Sequence, residues 1–337
     1  MLSSAIRFTG AVIVMTAFSF ATHSSAEVMT FPVPNGILSI EQDQGGDPVI
    51  IDGQGARHIV LLEAGRIQLK AAASHTDANL PEGALPDAVV ATAKNDDRAW
   101  LAAPTKRYRH GVLGDGIEAG ALVYESKGGS TRTLTLGEDA VFEDRYPRFA
   151  DMDGDGDQEI LVVKAYENAG GALVLIDTSR DPLIITAEAD AIGTPNRWLN
   201  PVGMGDIDGD GRTEVLVVIT PHIGGTLTAY EWRGDRLVKD HAIYGFSNHA
   251  IGARELALSA VEDLDGDGIA EAIVPSASRR VMTIVRFDGP EPNVIAKVSP
   301  IGGVAHRLVV QDLDGDQRPE LVWGSGDGSV VVWQPKL

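Results

Sequence analysis

Four copies of an acidic nine-residue segment, the short β-branched run behind each, and a second apolar run, introduced by glycine in three repeats and by Arg280 in the other, predict an all-β fold, a β-propeller of four-stranded antiparallel blades. The copies are DMDGDGDQE from Asp151, DIDGDGRTE from Asp206, DLDGDGIAE from Asp263 and DLDGDQRPE from Asp312, with starts 55, 57 and 49 residues apart. The apolar runs that follow, Ile160 to Val163, Val215 to Ile219, Ala272 to Val274 and Leu321 to Trp323, are too short for helices, which need roughly ten residues.

Each element follows from local chemistry. Residues 1–26 read as a secretory signal peptide: Arg7, an apolar stretch from Ala11 to Phe20, then small residues with Ser24 and Ala26 flanking a cut after Ala26. Residues 27–337 are expected to be a single propeller domain. Two degenerate blades without acidic loops span about 36 to 145: one carries HIVLLEAG at 58–65 and RIQLKAA at 66–72, the other Ala88 to Ala93, Ala99 to Ala103, Ala121 to Glu125 and Thr131 to Leu136. From about 146 to 337 the four loop repeats each give a strand before the loop (Arg148 to Ala150, Val202 to Gly205, Leu256 to Val261, Leu308 to Gln311) and a third strand ending at Asp177, Trp232, Phe287 or Trp333. An outer strand such as Leu183 to Glu188 completes the unit. This counts to six blades, with seven as the alternative. The last repeat is one strand short, so Val28 to Val33 is expected to supply it and close the ring, which removes exposed edges.

Alternating acids in a tight turn aim several carboxylates at one centre, and such hard oxygen donors select Ca²⁺, up to four ions in a structural role. The expected side-chain ligands are Asp151, Asp153, Asp155 and Glu159; Asp206, Asp208, Asp210 and Glu214; Asp263, Asp265, Asp267 and Glu271; and Asp312, Asp314, Asp316 and Glu320. Position seven, Asp157, Arg212, Ile269 or Arg318, offers its backbone carbonyl. An EF-hand opens in the same way but needs Glu at position twelve; here that position holds Val162, Val217, Val274 or Trp323. The fourth loop has Gln317 where the others have glycine, which implies a more strained turn and a weaker site.

The pattern D-x-D-x-D-G-x-x-[DE] between two strands resembles the FG-GAP or VCBS-type repeat of integrin α-subunit heads and exported bacterial proteins. The resemblance covers about Tyr146 to Leu337 and implies a propeller whose loops hold calcium. Family members include adhesins, lectins and lyases, so it does not choose among functions.

Composition narrows the partners. With 48 acids against 28 bases and a formal charge of −20, the chain has no store of cations for phosphates, which excludes nucleic acid and disfavours anionic membranes. Cysteine is absent, so stability outside the cell cannot come from disulfides. Before the inner strands recur polar groups, Arg145 with Tyr146, Arg197 with Trp198, Arg254 with Glu255, and His306 with Arg307, joined by His249. These gather either as an anion or sugar site or as pairs with neighbouring backbone and acids. Arg233-Gly234-Asp235 falls where turn chemistry explains it. No nucleophile elbow, phosphate loop or zinc signature is present. The expectation is an exported binding or interaction module, periplasmic or extracellular, with a protein or glycan partner and no membrane insertion after cleavage. The alternative is a calcium-dependent hydrolase or lyase acting on phosphate esters or polysaccharides.

Overall fold

The computed structural model describes residues 27–43, 45–73 and 80–337; the expected leader lies outside them. Among the described residues there are strands and turns and no helix, so no helix is long and apolar enough to cross a membrane.

The strands run as antiparallel meanders. Ile37–Gln42, Pro48–Asp52, Arg57–Glu63 and Arg66–Ala71 form one four-stranded sheet. Ala260–Glu262, Glu271–Pro275, Met282–Arg286 and Asn293–Val298 form another. Between them lies a thirteen-stranded sheet that contains three more meanders. The first is Ala91–Thr92, Arg98–Thr105, Glu118–Glu125 and Thr131–Thr135. The second is Arg148–Ala150, Glu159–Tyr166, Gly170–Asp177 and Ile184–Ala189. The third is Leu199–Gly205, Glu214–Ile219, Thr226–Arg233 and Arg236–Tyr244. Ala140–Phe142 bridges the first two meanders, and a short parallel contact of Glu188 and Ala189 with Arg236 and Leu237 joins the second to the third.

The last sheet takes strands from both ends of the described chain. Leu308–Gln311, Glu320–Gly324 and Ser329–Gln334 are completed by Glu27–Pro32, which pairs from Glu27↔Gln334 to Pro32↔Ser329. The expected strand at Val28 to Val33 is thus present one residue earlier. Two other expected strands are shorter than the apolar pattern suggests. Leu256 to Val261 is reduced to Ala260–Glu262, because the carbonyl of Ala257 leaves the ladder to accept the Leu308 N–H. Ala88 to Ala93 is reduced to Ala91–Thr92, with the Val89 N–H donated to Arg145.

The apolar runs are continuous rather than alternating because most sheets bury both faces. Ile160 and Val162 pack with Leu101 and Leu122 of the preceding meander, whereas Leu161 and Val163 pack with Val215 and Val217 of the following one. Leu216 and Val218 meet Ala272 and Val274; Ile273 and Ile284 meet Leu321 and Trp323; Val322 and Val332 meet Ile40, Ile50 and Val60. Each such side chain contributes about 1.5–3 kcal/mol when fully buried. Among the described residues, none of these apolar clusters joins the 37–71 sheet to the 91–135 sheet.

Candidate metal centres

In an antiparallel meander the first and third connections lie at one end of the strands, and the second connection and the link to the next sheet lie at the other. All four acidic loops are first connections, so they share one end.

Their geometry repeats almost atom for atom. In the first loop Asp151 accepts hydrogen bonds from the Gly154 and Gly156 N–H groups at 2.8 and 3.1 Å. Asp153 accepts from the Asp155 N–H, Asp155 from the Asp157 N–H, and Glu159 from the Met152 N–H at 2.9 Å. The same bonds fold the second loop onto Asp206, Asp208, Asp210 and Glu214, and the third onto Asp263, Asp265, Asp267 and Glu271. The fourth folds likewise onto Asp312, Asp314, Asp316 and Glu320. Wrapping the turn this tightly puts position six in the left-handed region, at φ 93°, 84° and 91° for Gly156, Gly211 and Gly268. Gln317 takes the same conformation at φ 69°, where a side chain costs about 1–2 kcal/mol.

Carboxylate oxygens converge in every loop. Ligand atoms of Asp151, Asp153 and Glu159 lie within 4.8 Å of one another, as do those of Asp206, Asp208 and Asp210, of Asp263, Asp265 and Glu271, and of Asp312, Asp314 and Asp316. The position-nine acids are buried. Burial first, and the neighbouring aspartates next, push Glu159, Glu214 and Glu320 up to about 7, against the lowering effect of the backbone N–H each accepts. One buried oxygen, Glu320 Oε1, has no hydrogen-bond partner. An all-oxygen, acid-rich donor set with an orphaned carboxylate oxygen fits a hard divalent cation. Beside the first two loops is a cleft of about 590 Å³ lined by Asp151, Asp153, Arg212, Trp232 and Arg233.

The third loop differs. Arg286 reaches into it, and its Nη2 lies 2.7 Å from Asp265, 3.7 Å from Asp267 and in a close ion pair with Glu271. Glu271 is still raised, by burial first, with Arg286 opposing.

At the other end the protein supplies its own partners. Arg145 pairs with Asp87 at 3.1 Å and donates to the Arg254 carbonyl; Arg254 pairs with Asp115 at 3.1 Å. Arg307 lies 3.8 Å from Glu255. Arg197 donates to the Asn196 carbonyl, and the half-buried His306 ring lies against Gly324. Trp198 is buried, donates to the Glu143 carbonyl at 2.9 Å, stacks with His222 and meets His249 edge-on, and the two histidines are hydrogen-bonded to each other at 2.8 Å. Burial, before all other causes, lowers both histidines to about 4. His110 meets the fully buried Glu143 at 2.6 Å, and burial followed by Glu143 raises Glu118 to about 9. The structure therefore brings Arg145 and Arg254 together, and Arg307 with Glu255. His110, Glu118, Glu143 and His222 escape sequence reasoning because they converge from separate units with no shared spacing.

The FG-GAP-like repeat model matches residues 151–217 and 206–274, and so includes the first three loops. The chain carries FG-GAP-like repeats. No curated protein matches this chain in sequence. Among solved structures, BBS1N in complex with ARL6DN is similar over 91% of this chain and 95% of that one, at 14% identity and a TM-score of 0.51, a likeness of fold. The rhamnogalacturonan lyases YesW and YesX match at 20% and 17% identity over 80% and 90% of this chain, with TM-scores of 0.48 and 0.46. The aligned region spans only 55% and 59% of those lyase chains.

Proposed function

We propose that this chain is an exported, calcium-stabilised, six-bladed β-propeller that acts as a binding or interaction module. Support for calcium comes from one observation above all, the fourfold loop in which backbone N–H groups orient aspartates at positions one, three and five around a shared centre next to a buried glutamate. The residues that would hold each ion are those three aspartates, the glutamate at position nine and the carbonyl at position seven. Six to eight flexible oxygen ligands suit Ca²⁺, while Mg²⁺ keeps its waters. Bound calcium would relieve the repulsion among the acids. Six meanders, with the last built from both ends of the described chain, support a ring closed by Glu27–Pro32.

With the loops serving as struts, ligand recognition falls to the surface between them. The cleft that contains Trp232, Arg212 and Arg233 offers an indole, guanidinium groups and carboxylates, chemistry that suits a glycan or an acidic peptide segment. A calcium-dependent hydrolase or lyase is the second reading. It draws on the gathering of Asp87, Asp115, Glu118 and Glu143 with Arg145 and Arg254 at the opposite end, yet the arginines there are already paired to Asp87 and Asp115.

Calorimetric calcium titration and a glycan array run with calcium test the leading reading. Calcium binding together with saturable glycan binding lost on Trp232→Ala supports it. Turnover of a polysaccharide or phosphate ester, abolished by Glu118→Gln, replaces it with the enzyme. Export is checked by sequencing the mature N-terminus, expected at Glu27.

A further inference from the structure

The four loops share their backbone, but the residue facing the position-nine glutamate across the ladder differs in each. Glu159 faces Asp177 directly. One residue beyond the pairs Val215↔Tyr230, Ala272↔Val285 and Leu321↔Trp333, the same place holds Glu231, Arg286 and Gln334. Asp177 turns to Ser179 and Arg180, Glu231 pairs with Arg212 and Arg233, and Gln334 donates a hydrogen bond from its uncharged amide to Asp316. Arg286 alone in this position brings a positive charge into its own loop.

Three of the four expected ligands of the third loop, Asp265, Asp267 and Glu271, surround a single guanidinium nitrogen. We infer that Arg286 is a built-in counter-cation that occupies the third loop in competition with a divalent ion, so that this site binds metal far more weakly than the other three. The inference rests on the calcium reading of the loops. A planar guanidinium paired with carboxylates in this way is a strong charge-assisted contact, and a metal must displace it before it can use the same oxygens. Arg212 does not act alike: its side chain is mostly exposed, and among the ligand acids of its loop it approaches only Asp210, at 3.8 Å. The sequence carries the same signal, since the strand ending at Phe287 puts an arginine beside the last acid of its loop and no other repeat does.

Calorimetry with Ca²⁺ alone decides the matter on three forms of residues 27–337: unaltered, Arg286→Gln and Gln334→Arg. The unaltered chain is expected to bind three ions in a tight class and a fourth at least about tenfold more weakly. Arg286→Gln should move that fourth ion into the tight class, and Gln334→Arg should remove one ion from it. Four equal sites in the unaltered chain, or an unchanged titration for Arg286→Gln, overturns the role of Arg286. Should that variant fail to fold, an unchanged tight-site count in Gln334→Arg overturns it independently. If the unaltered chain binds no calcium, the calcium reading itself fails, an outcome distinct from the other two.

Discussion

The two ends of the strands solve the same electrostatic problem in opposite ways. At the loop end, carboxylates are turned toward one another by backbone N–H groups; an arginine enters the ligand cluster only in the third loop, while Arg212 reaches just the edge of the second, 3.8 Å from Asp210. At the other end almost every charge has a protein partner: Arg145 with Asp87, Arg254 with Asp115, Arg148 with Asp144, His110 with Glu143. A region that carries its own counter-charges is complete on folding, whereas one that does not is left open to an ion from solution. The third loop, with Arg286, has the character of the far end transplanted into the near one.

The contrast is broken most directly by removing metal. If three independent sites are loaded at a hundred times their dissociation constants, calcium adds about 8 kcal/mol, so a chelator should lower the melting temperature by roughly 10 °C. An unchanged melt would erase the distinction between the ends. At the far end, Trp198→Ala removes a buried indole and should cost about 3–5 kcal/mol by denaturant unfolding, equally with calcium and with chelator. Asp206→Asn at the near end should cost about 2–3 kcal/mol in calcium and close to nothing in chelator; equal losses in both media would mean that the loop is held without metal.

Acidity separates the ends by sign. Glu159, Glu214 and Glu320 have folded values near 7 against an ordinary 4.5. Without metal, the stability they contribute is full below the ordinary value and is lost as pH rises through about 7. His222 and His249, lowered to about 4 from 6.5, contribute stability that is present above 6.5 and lost as pH falls through about 4. Denaturant midpoints across this range should show the pH of greatest stability displaced toward acid in chelator and returned upward by calcium. The smallest effect concerns one backbone position. Gln317→Gly relieves the left-handed strain and should stabilise by about 1 kcal/mol, with a gain in calcium affinity for the fourth loop alone.

Much of this was legible in the sequence. Asp151, Asp206, Asp263 and Asp312 announce the turns, and the runs behind them are strands because short β-branched stretches buried on two faces have no other stable form. Strand ends were less legible, since Ala257 and Val89 spend backbone groups on neighbouring units that no local pattern reveals. The His110 and Glu143 pair was invisible for a related reason: thirty-three residues separate them, and only the folded arrangement makes them neighbours. Arg286 was readable but overlooked, because its meaning depends on cross-strand register rather than on the loop motif.

Glu27–Pro32 lies in the same sheet as Ser329–Gln334. The strand Glu27–Pro32 therefore finds its hydrogen-bonding neighbour only across all of the intervening meanders. Sealing this sheet waits on one of the most distant pairings in the fold, the slow kind of contact for a folding chain, and loss of Ser329–Gln334 would leave Glu27–Pro32 with a bare edge.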